Sequence, residues 1–89
     1  MRIRASAFVA GSALLSTLAL AEEFENICAW ALADRGVERK TDCSVNWKDL
    51  ATGKTYCFSN EQTRMLFLQD PEENVPKAEE AYTKLRKQQ

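Results

Sequence analysis

The sequence predicts an α+β fold, a small single domain in which a β-hairpin packs against two or three short helices. Three observations predict it. After a leader-like stretch of 21 residues, 68 remain, room for one small core. Two short runs rich in β-branched and aromatic residues flank a connection that ends in Gly53. On either side of that pair, apolar residues recur at three- and four-residue steps, the period of an amphipathic helix.

Residues 1–21 read as a secretory signal. Arg2 and Arg4 open it, residues 5–20 carry no charge and are mostly Ala, Leu, Ser and Val, and Ala19-Leu20-Ala21 is a small-x-small cleavage site. A spanning helix needs about 20 strongly apolar residues, and Ser6, Gly11, Ser12, Ser16 and Thr17 dilute this stretch. There is no twin-arginine pair and no Cys at position 22, so neither folded export nor a lipoprotein anchor is expected. The expectation is a periplasmic protein with no membrane anchor after signal cleavage.

Residues 22–89 then form the domain. The first helix is expected over 22–34: Phe24, Ile27, Cys28 and Ala31 share a face, and Glu22, Glu23 and Glu25 sit where the helix dipole favours anions. Gly36 is placed to cap its C-terminus. The hairpin occupies 43–58, its two runs joined by Asp49-Leu-Ala-Thr-Gly53. If Lys48 faces Lys54, Val45 faces Cys57 and Cys43 lies one diagonal step away on the same sheet face. A slip of one residue would separate the two thiols. Ser59 and Gln62 have the spacing of a capping box for a helix over 60–69, and Asp70-Pro71 ends it. A last helix is expected over 76–87, opened by Pro76, with Ala78, Ala81, Tyr82 and Leu85 on one face and Lys84, Arg86 and Lys87 at its end.

Charge and composition exclude several functions. The leader holds two of the twelve basic residues and none of the thirteen acidic ones, so the domain carries ten against thirteen, a net charge of −3. Nothing forms a basic stripe, and a nucleic-acid partner is disfavoured. Histidine is absent, which excludes a Ser-His-Asp or Cys-His catalytic unit, a haem attached at Cys-x-x-Cys-His and any imidazole metal site. With no glycine-rich phosphate loop either, the chain is not expected to be an enzyme. Glu72-Glu73 and Glu79-Glu80 read as solvated helix charge rather than acid–base pairs.

The reactive groups left are Cys28, Cys43 and Cys57. A Cys43–Cys57 disulfide would close a loop of about 15 residues and contribute roughly 3 kcal/mol to a domain whose core is small. Cys28 would then be a buried small hydrophobe on the first helix. Alternatively, Cys43 and Cys57, with Cys28 as a third ligand, hold copper or another soft metal ion as thiolates. Met65 offers a thioether, but a methionine on a helical apolar face is ordinarily core. Redox exchange with a partner ranks last, because no Cys-x-x-Cys stands at a helix start.

Gly53-Lys-Thr-Tyr56, then Phe58, Phe67 and Asp70-Pro71-Glu72, follow one another in the order of a known module. On these residues the run 43–74 resembles the YHS domain, which is often found near heavy-metal transport proteins. The resemblance covers 32 of the 68 domain residues. It implies a hairpin packed on helices, with Cys43 as the upstream metal ligand. Ser59 and Thr63 stand where metal-type members carry cysteine, and Cys57 stands at a position that is often aromatic. Either Cys57 moves the site two residues along its strand, or metal binding has given way to a Cys43–Cys57 disulfide.

Two functions are therefore expected as alternatives. One is a small exported YHS-like protein that buffers or delivers copper through cysteine thiolates. The other is a disulfide-stapled, non-catalytic accessory domain that docks on a periplasmic partner protein through Trp30 or Trp47.

Overall fold

The computed structural model describes residues 23–88. The expected leader, residues 1–21, lies outside the described residues. A single turn, Glu23–Asn26, precedes α1 (Ala29–Arg35), β1 (Val45–Asp49), β2 (Lys54–Phe58), α2 (Glu61–Leu68) and α3 (Pro71–Lys87). The architecture is α+β, an antiparallel hairpin with α1 and α2 packed on it and α3 packed against those two helices. None of the described helices is long and apolar enough to cross a membrane.

The hairpin forms where alternation places it, in a register one residue away from the expected one. Asp49 pairs with Lys54, Trp47 with Tyr56 and Val45 with Phe58. Asp49 is thus the last strand residue and not part of the loop. Its carbonyl accepts from Gly53 N at 2.7 Å and Thr52 N at 3.2 Å, and its carboxylate accepts from Ala51 N at 3.0 Å. Gly53 at φ 78° supplies the left-handed residue such a turn needs. In this register Val45, Trp47, Tyr56 and Phe58 share the core face, and Cys57 points to the opposite one. Both faces of β2 are buried at its end.

Phe67 of α2 is the centre of the core. Fully buried, its ring lies 5.2 Å from Phe58, 6.0 Å from Tyr56 and 6.3 Å from Trp47. Tyr56 carries a testable consequence. Its phenol is pushed up to about 12, first by burial and then by the carboxylates of Glu23, Glu79 and Asp49. An unfolded tyrosine ionises near pH 10, so stability from this group is complete below that pH and is lost as pH rises through about 12. Two pH units correspond to about 3 kcal/mol. Tyr56→Phe is expected to flatten the fall in denaturation midpoint between pH 10 and 12. An unchanged slope would show that Tyr56 does not drive it.

The N-terminal segment corrects the expected helix over 22–34. Phe24, Glu25 and Asn26 adopt left-handed backbone at φ 59°, 53° and 67°, and Ile27 and Cys28 are extended, bridging Lys40 and Cys57. Left-handed backbone costs roughly 1–2 kcal/mol per residue. Aromatic burial offsets it here: the turn drives Phe24 between Tyr56, at 5.7 Å, and Tyr82, at 5.2 Å. Two backbone bonds hold the extended pair, Cys28 N to Arg39 O at 2.7 Å and Thr41 N to Asn26 O at 2.8 Å. A helix through this stretch would forfeit both. Helix α1 therefore begins at Ala29, and it ends where expected, with Gly36 at φ 67° donating to Leu32 O.

Two helix starts also move. The capping box of α2 is Asn60 with Thr63, one residue after the expected Ser59 and Gln62. Asn60 Oδ1 accepts from Thr63 N at 2.9 Å, and Asn60 N donates to Thr63 Oγ1 at 3.2 Å. Helix α3 begins at Pro71 rather than at Pro76. Asp70 is its N-cap, accepting from Glu73 N, and Pro71 occupies the first position, where a missing N–H is free of cost. Pro76 is tolerated inside the helix on its exposed face. Asn74 closes the corner between α2 and α3, its buried amide donating to Phe67 O at 2.9 Å. The expected face of α3 holds, with Ala78 buried and Ala81, Tyr82 and Leu85 half-buried. Met65, expected in the core, is exposed.

Candidate functional site

Cys43 and Cys57 are joined as a disulfide, with their Cα atoms 4.7 Å apart. The expected pairing is present although the register that led to it is not. By alternation alone Cys43 would share the core face of Val45 and Trp47, away from Cys57. It lies ahead of β1, in a turn where its N–H donates to Thr41 Oγ1 at 2.8 Å, Ser44 N donates to Asp42 Oδ1 at 3.0 Å and its carbonyl accepts from Asn46 Nδ2 at 2.8 Å. Cys43 itself sits at φ 62°. That left-handed residue breaks the alternation and carries the thiol across to the Cys57 face.

Cys28 is the free thiol among the described residues, and it is buried. It is the N-cap residue of α1 and lies beside Cys57 in a parallel bridge, so one strand position carries all three cysteines into the same neighbourhood. Burial pushes its thiol up, but hydrogen bonds to the thiolate from the Ser59 side chain and from the backbone of Ala31, Ser59 and Trp30 outweigh burial and leave it below the ordinary cysteine value. Ser59 and Thr63, the two positions singled out by the YHS resemblance, line one cleft of about 340 Å³ with Cys28, Trp30 and Arg39. Asn26 Oδ1 lies 3.8 Å from Cys57 Sγ, a packing contact because a disulfide sulfur has no proton to give.

The bond determines what the cysteines can do chemically. A disulfide sulfur is not a thiolate ligand, so a soft-metal site built on Cys43, Cys57 and Cys28 requires reduction first. Among the described residues, no group of three Cys, Asp or Glu side chains is placed to hold a metal ion. The disulfide is compatible with an oxidising, exported compartment.

The two tryptophans have different surroundings, each half-buried. Trp30 borders the Cys28 cleft. Trp47 stacks on Tyr56 at 5.7 Å with its inner face, and its outer face floors a groove of about 410 Å³ between the hairpin and the start of α3. Ala51, Pro71, Val75 and Pro76 make the groove apolar, while Asp49 and Glu72 stand at its edge. Leu50, at the adjoining hairpin tip, is 88% exposed. Sequence periodicity places Trp47 on the hairpin but does not show the groove, because its other wall is the first turn and a half of α3, from Pro71 to Val75, ahead of the residues in which the helical spacing is visible.

Compared with known proteins, the chain matches no family model, no curated protein and no solved structure.

Proposed function

We propose that the chain is an exported, non-catalytic accessory domain, stapled by Cys43–Cys57, that docks on a periplasmic partner protein. The staple carries this reading. It commits two of the three cysteines to holding a small core together, and with them the two thiolates on which copper buffering depends. The YHS resemblance fits such a module as a frame, the hairpin and α2, without its usual thiol set.

The docking surface is the Trp47 groove. Its floor is apolar and its edge is acidic through Asp49 and Glu72, so the segment that fits it presents aliphatic or proline side chains flanked by Lys or Arg. Leu50, between the groove residues Asp49 and Ala51 in sequence, is the most exposed large apolar side chain among the described residues. A photo-crosslinking residue at position 50 tests this in cells that express the protein with its neighbours. The expected result is one discrete crosslinked species that Glu72→Lys weakens. A protein that stays a free monomer, or a crosslink indifferent to Glu72→Lys, would contradict docking at this groove. Copper is tested separately by Cu(I) competition against a chromophoric chelator: oxidised protein is expected not to compete. Stoichiometric uptake by oxidised protein would restore the metal reading.

A further inference from the structure

Cys57 stands between two cysteines. On one side it is bonded to Cys43; on the other it pairs with Cys28 in the parallel bridge. Residues paired on neighbouring strands lie about 4.8 Å apart with their side chains on one face. That separation lies inside the roughly 4.4–6.8 Å range of Cα distances a disulfide spans, and it is close to the 4.7 Å between Cys43 and Cys57. Ser59, two positions along from Cys57, lines the same cleft as Cys28. Cys43 sits at φ 62°, a conformation that a non-glycine residue adopts at a cost.

We propose that the staple is exchangeable within the folded domain: the Cys28 thiolate attacks Cys57 Sγ, a Cys28–Cys57 disulfide forms, and Cys43 is released as a half-buried thiol. One S–S bond forms as one breaks. The electron pair of the broken bond leaves on Cys43 Sγ, which takes up a proton from water in place of the one Cys28 gave up, so no external oxidant or reductant takes part. The outcome converts a thiol buried at 1% exposure into one in the half-buried turn ahead of β1, where a thiol reagent or a partner's disulfide can reach it.

The inference is independent of docking at Trp47. Its test is native labelling of the oxidised protein with a bulky maleimide in mildly alkaline buffer, followed by peptide mapping without reduction. The expected product carries the label on Cys43 and a Cys28–Cys57 bond. Label on Cys28 alone, with Cys43–Cys57 intact, would overturn the proposal. So would label on Cys57, because scrambling through the unfolded chain also yields the Cys28–Cys43 isomer and exchange across the bridge does not. Ser59→Ala supplies a second readout. Removing the hydroxyl that favours the Cys28 thiolate is expected to slow labelling of Cys43 in that buffer. Labelling of Cys43 that persists in Cys28→Ser would show that Cys28 is not the attacking group.

Discussion

Phe67→Ala is expected to remove about 3–5 kcal/mol of stability, the usual cost of truncating a fully buried phenylalanine. Domains of this size hold only roughly 0.05–0.15 kcal/mol per residue, so the variant would lose from about a third to all of its margin. The position explains the size of the effect. Phe67 meets Phe58, Tyr56 and Trp47, so its ring joins α2 to both strands, and its carbonyl accepts from the buried Asn74 amide at the start of α3. Truncation would therefore open a cavity at the one place where hairpin, α2 and α3 meet. Leu50→Ala is the control: at 88% exposure it is expected to stay within about 0.5 kcal/mol of the parent. Urea denaturation of the three proteins checks this, and a Phe67→Ala loss below 1 kcal/mol would show that the core lies elsewhere.

Removing the staple is the second large effect. Cys43 and Cys57 are 14 positions apart, and closing a loop of that length contributes roughly 3 kcal/mol in the chain-entropy model. For a domain under 100 residues each kcal/mol moves Tm by about 4–8 °C, so mild reduction is expected to lower Tm by roughly 10–25 °C. Cys43→Ala with Cys57→Ala should behave like the reduced protein, with a small further loss because Cys57 is fully buried. Using the double variant matters, since Cys43→Ala alone leaves Cys28 and Cys57 free to bond across their bridge. A Tm unmoved by reduction would mean that the core holds the fold without the bond.

What could be read from the residues, and what could not, follows from how local each signal is. Gly36 and Gly53 announced their turns because each needs a left-handed residue, and the α3 face was visible because 78, 81, 82 and 85 lie at helical spacing. Phe24, Ile27, Cys28 and Ala31 have that spacing too, yet the first three are buried by a left-handed turn and an extended pair. Periodicity cannot distinguish these, because backbone bonds to Arg39 and Thr41 decide the matter. The α2 cap shifted from Ser59 to Asn60 for a similar reason: Asn60 and Thr63 close reciprocal hydrogen bonds with each other's backbone, and Thr63 is not the Glu or Gln by which such a box is read from sequence. Pro71 and Pro76 both suit a first helical turn, and the Asp70 cap selects the earlier one.

The cysteines show the same limit at the site itself. The pairing of Cys43 with Cys57 was legible from their spacing and the hairpin between them. The route to it was not, since the register is one residue off and the left-handed Cys43 restores the contact. Cys28 was legible as a buried residue on an apolar stripe. Its place beside Cys57 was not, because that neighbour lies 29 positions away and is reached only through the bridge.

Counting thiols by intact-mass alkylation, on protein taken directly from the compartment that holds it, tests the staple most directly. One alkylated thiol per chain before reduction and three after it are expected, whichever partner Cys57 holds at the time. Three alkylated thiols before reduction would contradict the staple and return Cys28, Cys43 and Cys57 to the chemistry of free thiolates.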